Sequence, residues 1–191
     1  MRRMIKQWAG DQRGASAVEF ALLAPIMLLL YFGVVVFCQA YMAQKRVSHV
    51  ASAVGDLVAQ TSQISRAEAG ELFSIGGLIM KPFSAATLDQ RVTSITRQTA
   101  TRYEVDWSRS TGDALPPLDQ GSAVGVPSVA VAVGGSVIMS ESESVYTSPM
   151  DPILNDIRNL IGSDGAGLGV LTFTRKAYLH PRNGAVPCPD C

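Results

Sequence analysis

The pattern of apolar and polar positions changes character along the chain. From Phe20 to Gln44 it is an apolar run of 25 positions without a charge, longer than the about 20 helical residues that cross a bilayer core. Glu19 stands at its edge, and a carboxylate bordering an apolar helix is costly enough to imply a partner or a task. Beyond Lys45 the pattern becomes amphipathic: Val47, Val50, Ala51, Val54, Leu57 and Val58 recur at spacings of three and four, with Ser48, Ser52, Asp56 and Gln60 between them. Together these predict one helix over 15–60, about 70 Å long at about 1.5 Å per residue. Pro25 falls in its membrane half, where it removes a backbone hydrogen bond and bends or locally melts the helix.

Thr61-Ser62-Gln63 reads as a break. Ser65-Arg66-Ala67-Glu68 then forms an S-x-x-E capping box. The helix it starts has Leu72, Phe73, Ile75, Gly76, Ile79 and Met80 as its apolar face, ends at Lys81-Pro82 and is expected to pack on the first helix. Gly76-Gly77 either loosens it or lets two backbones approach. From Leu88 the period turns to two. Leu88–Thr96 and the alternating Tyr103–Ser108 predict a hairpin, with Trp107 as a core anchor. Residues 113–126, with Pro116-Pro117 and Gly121, read as a surface loop, and 129–133 as a strand or a short helix. Val137–Thr147 predicts a strand with Ser140 to Ser144 largely solvated; this serine-rich acidic run lacks the converging oxygen ligands of a cation site. Asp151 is expected to cap a short helix from Pro152 to Ile161. A glycine-containing turn over 162–169 and a last strand, Val170–Leu179, follow.

The fold class is therefore α+β: a long N-terminal membrane-spanning helix carrying a small antiparallel-sheet head. Five segments result: a basic leader (1–14), a transmembrane half-helix (15–44), an amphipathic half-helix (45–63), the α+β head (64–182) and a cysteine-containing tail (183–191).

Charge adds orientation. The chain is neutral overall, yet Arg2, Arg3, Lys6 and Arg13 against Asp11 give the leader +3 and leave −3 on the rest. A basic flank stays cytoplasmic, so the head is expected outside a bacterial inner membrane in a single-pass topology. A slightly acidic head gives no footprint for nucleic acid. Cys188-Pro189-Asp190-Cys191 falls in the part of the chain expected in the periplasm, a compartment that favours oxidation. A local disulfide, a free or intermolecular pair, and redox or metal chemistry all remain open for it. A thioredoxin-like role wants a following helix, and two cysteines with only His49 and His180 elsewhere do not complete a zinc site. The sequence shows no nucleophile elbow, metalloprotease helix or phosphate loop, so neither catalysis nor a cofactor is expected.

A cut between Gly14 and Ala15 would make Glu19 the fifth residue of the new chain and leave the apolar run attached, unlike ordinary signal cleavage. The stretch Arg13-Gly14-Ala15-Ser16-Ala17-Val18-Glu19-Phe20-Ala21-Leu22-Leu23-Ala24-Pro25 resembles the class III signal of pilins and pseudopilins. More narrowly, it is similar to the opening of the TadE-like family of the tight-adherence (Flp) pilus system. Tyr146, Pro149 and His180-Pro181-Arg182 add to the likeness. The resemblance implies a pilin-like stalk and head, and processing at Gly14-Ala15 by a prepilin peptidase. It implies that Glu19 and Phe20 act in assembly recognition, that Pro25 kinks the helix, and that the partners are other pilins and an assembly platform in pilus assembly and surface attachment. Two alternatives stand beside it. One is an uncleaved, signal-anchored periplasmic scaffold or adhesin. The other is cleavage behind Cys38-Gln39-Ala40, releasing a soluble domain; a lipoprotein reading of Cys38 is opposed by Phe37.

Overall fold

The computed structural model describes residues 13–127, 131–152, 155–156, 159 and 170–191, with only the backbone of 13–15. Most of the leader, the 162–169 turn, and parts of the 129–133 and 152–161 segments lie outside the described residues.

Helix α1 runs from Arg13 to Gln60 without interruption at Pro25. The chain divides into two compact units between Gln39 and Ala40. In the first, the helix shows its apolar side chains outward: Phe20, Leu22, Leu29 and Phe37 are all exposed. By length and composition it is the one helix among the described residues fit to cross a membrane.

In the second unit the amphipathic pattern of α1 becomes a core face. Val47, Val50, Val54 and Val58 are buried in one cluster with Phe73, Val92, Trp107 and Ile138. Helix α2, Arg66–Ile79, begins at Ser65 with a complete capping box: Glu68 N–H donates to the Ser65 hydroxyl, and Ser65 N–H to the Glu68 carboxylate at 2.7 Å. Its buried Ala69 and Phe73 enter that core, which draws on the sheet as well as on α1.

Four strands follow: β1 Leu88–Arg97, β2 Tyr103–Thr111, β3 Ser136–Thr147 and β4 Val170–Leu179. They form one antiparallel sheet in the order β2-β1-β3-β4. The β1/β2 register slips between Ser94 and Ile95, which leaves Asp106 without a rung. Its carboxylate accepts from the Ser94 and Thr96 hydroxyls at 2.9 and 2.8 Å, so the bulge is tied down by side chains.

Two expectations need correction. The Ser140–Ser144 run is not solvated: Ser140, Glu141, Ser142 and Ser144 are buried, and only Glu143 is half-buried. The cause is topological, since β3 is an inner strand, paired on both sides, and loses both of its faces to packing. Small serines on the helix side let α1 come close; a Cβ built on Gly55 would meet the Ser140 Cβ at 2.9 Å. Asp151 is itself helical. The turn begins earlier, at Ser148, whose hydroxyl accepts from Met150 N–H and whose carbonyl accepts from Asp151 N–H.

The 113–126 segment is also more than a surface loop. Val105 N–H donates to the Ser122 carbonyl, and Val124 N–H to the Tyr103 carbonyl, closing the free edge of β2. Leu118, Val124 and Val126 cover the sheet's outer core of Ile95, Val131, Val137 and Met139.

The two glycines of α2 separate cleanly. A Cβ on Gly76 would fall 2.0 Å from the Gln90 Oε1, whereas one on Gly77 meets only the Ala85 Cβ at 3.6 Å. Gly76 is thus a close approach, though by the Gln90 side chain and not by a second backbone as expected, and Gln90 Nε2 uses it to donate to the Phe73 carbonyl at 2.8 Å. Gly76→Ala is expected to destabilise the head by about 1–2 kcal/mol, overpacking outweighing the helix-propensity gain. Gly77→Ala is expected to stabilise by about 0.4–1 kcal/mol. Urea unfolding of the two variants checks both signs; a stabilising Gly76→Ala would contradict the close-approach account.

Candidate functional site

The first site residues lie at the start of α1. The backbone at Gly14 and Ala15 is already helical. Glu19 and Phe20 are both exposed, among equally exposed Val18, Leu22 and Leu23. Glu19 has no hydrogen-bond or ion-pair partner among the described residues. An apolar helix face therefore carries a carboxylate without a partner among the described residues, an arrangement that is costly in a bilayer. Pro25 lies six residues further along the helix.

The second feature is how the C-terminal segment fastens the end of α1. Arg182 donates to Asp56 at 3.0 Å, its backbone N–H reaches the Ala59 carbonyl, and Asn183 Nδ2 donates to the Gln60 carbonyl. These groups satisfy carbonyls that a helix end leaves open. The segment then enters the core: Val186 is buried and its carbonyl accepts from Trp107 Nε1 at 2.7 Å. The Pro187 carbonyl accepts from Ile64 N–H. Cys188 and Cys191 form a disulfide, with their Cα atoms 5.4 Å apart. Asp190, inside that loop, accepts from Arg66 N–H at 3.0 and 3.1 Å, a carboxylate at the first turn of α2. Cys188, Asp190 and Cys191 are close enough to share an ion, but in the disulfide the two sulfurs are not thiolates and do not ligate. His49 and His180 are both exposed.

The structure also brings together groups that sequence reading missed. Glu141, 1% exposed, pairs through Oε2 with Arg91 at 2.5 Å and through Oε1 with Lys176 at 2.6 Å. Arg91 further donates to the Pro116 carbonyl, linking the triad to the 113–126 segment. Elsewhere on β3, Tyr146 packs on Phe83 and Phe173, and burial pushes its phenol above the ordinary range, opposed in part by a hydrogen bond with Ser148.

With this geometry in view, the comparisons are specific. The model of the family described as TadE-like protein matches residues 14–56. The match starts at Gly14 and covers most of α1. It thereby supports the resemblance carried by the opening residues of the helix. No curated protein and no solved structure matches the chain.

Proposed function

We propose that this chain is a minor pseudopilin-like, membrane-anchored component of tight-adherence pilus biogenesis. A prepilin peptidase hydrolyses the Gly14-Ala15 bond on the cytoplasmic side of the inner membrane. The new Ala15 amine begins a helix that stays in the bilayer. Glu19 and Phe20 then serve recognition: Glu19 pairs with the amine of a neighbouring pilin, and the apolar face of α1 bundles with other pilin helices as the assembly platform draws them together. The head remains periplasmic or enters the filament, where it serves pilus assembly and surface attachment. The protein is the substrate of this chemistry rather than its catalyst.

The observation that carries this reading is the family match beginning at Gly14 on a helix whose exposed apolar face holds Glu19, unpartnered among the described residues. Intact mass of the protein recovered from its native envelope tests it, with a chain starting at Ala15 as the expected result. A start at Met1 would favour the signal-anchored scaffold or adhesin, and a start at Tyr41 a released domain.

A further inference from the structure

Where the uncharged run ends, α1 carries its next cation after Arg13, Lys45, with Tyr41 and Ser48 about one turn to either side. Residues at these spacings share a helix face. Together with Gln44 and with Arg175 of β4, they line a cavity of about 90 Å³. Arg175 reaches it through sheet register: it stands opposite Ser142, on the alternation that also carries Phe173 and Leu179 toward the helix side of the sheet. Two elements distant in sequence thus deliver two cations to one small cavity.

Its chemistry is one-sided. The lining offers an ammonium, a guanidinium, a phenol, a hydroxyl and an amide, and no carboxylate. Neighbouring cations are engaged elsewhere: Lys176 by Glu141, Arg182 by Asp56, and Arg46 by the Ile79 carbonyl. Among the described residues neither Lys45 nor Arg175 has an acidic partner; Lys45 lies over the Tyr41 ring, 5.4 Å from its centre. A cavity walled by donors and two unneutralised cations is suited to a compact oxyanion, and a guanidinium beside an ammonium matches phosphate.

Depth selects the source. Twenty-five uncharged helical residues rise about 37 Å, past the about 30 Å hydrocarbon core, so Lys45 falls in the headgroup layer, where tyrosines also concentrate. We propose that Lys45 and Arg175, with Tyr41, Gln44 and Ser48, form a binding site for the phosphate of an anionic phospholipid headgroup. This rests on the membrane-anchored reading. Such a site would fix the head against the outer surface of the membrane before the helix is drawn into an assembly.

The test uses the full chain in nanodiscs of phosphatidylcholine with a rising fraction of phosphatidylglycerol, counting retained phosphatidylglycerol by native mass spectrometry. Lys45→Gln and Arg175→Gln are each expected to lower retention about five-fold, and the double variant roughly twenty-five-fold. Arg46→Gln, which removes a cation outside the cavity, should leave retention unchanged. Equal retention by wild type and double variant would overturn the site. Inorganic phosphate raising the thermal midpoint of wild type but not of the double variant, without selective lipid retention, would reassign it to free phosphate. Release of both proteins from vesicles by alkaline carbonate would instead refute the membrane anchor, and with it the lipid source.

Discussion

Replacing Glu141 with alanine is expected to remove about 3–5 kcal/mol from the stability of the head, a drop of about 6–20 °C in its midpoint for a unit of this size. The side chain is 1% exposed and its carboxylate is shared between Arg91 and Lys176. Removing it strands the Arg91 guanidinium, 11% exposed, with only the Pro116 carbonyl remaining among its described partners. The two cations are not equivalent. Lys176 is 52% exposed and regains water when its partner is lost, so Lys176→Met should cost no more than about 1 kcal/mol. The Arg91→Met/Glu141→Leu double variant should recover much of the loss, because an apolar pair of similar volume avoids the stranded charge. Denaturant unfolding of the four proteins decides the matter. A Glu141→Ala variant within about 0.5 kcal/mol of wild type, the span of an ordinary surface substitution, would show that the triad is not desolvated in solution.

That triad marks where sequence reading stops. Elements with a strong local period were legible: the uncharged run, the valine stripe from Val47 to Val58, the Ser65–Glu68 box and the Tyr103–Trp107 alternation each record burial in the spacing of neighbouring residues. The position of β3 was not. Its serines and glutamates read as a solvated face because nothing local says that β1 and β4 flank it, and an inner strand can bury polar residues once partners arrive from 91 and 176. Asp190 escaped notice for the same reason. Its partner, Arg66 N–H, lies 124 residues away, and only the folded chain shows the Cys188–Cys191 loop presenting a carboxylate to α2. The family resemblance was the most legible part, since it rests on linear order along 14–56: Gly14, Glu19, apolar run. What no spacing reveals is whether a neighbouring chain satisfies Glu19.

Glu19→Ala is therefore expected to abolish incorporation into a filament while leaving the protein in the membrane. The two effects separate because they have opposite signs. For insertion, losing a carboxylate is favourable; an acidic residue at the centre of a membrane helix costs up to about 3.5 kcal/mol on an insertion scale, less near its edge. For assembly, the same carboxylate is the side chain available to pair with a neighbour's Ala15 amine, an ion pair that low dielectric strengthens. Processing at Gly14-Ala15 should continue in the variant, since in the proposed order the cut precedes the pairing. Carbodiimide coupling of assembled wild-type protein should yield a cross-link between Glu19 and the amino-terminal residue of another chain, absent from both Glu19→Ala and Glu19→Gln. The glutamine variant isolates charge from size, and it should fail as alanine does. Normal filament incorporation of both variants would leave Glu19 without the proposed role and turn the weight toward a protein that stays anchored singly in the membrane.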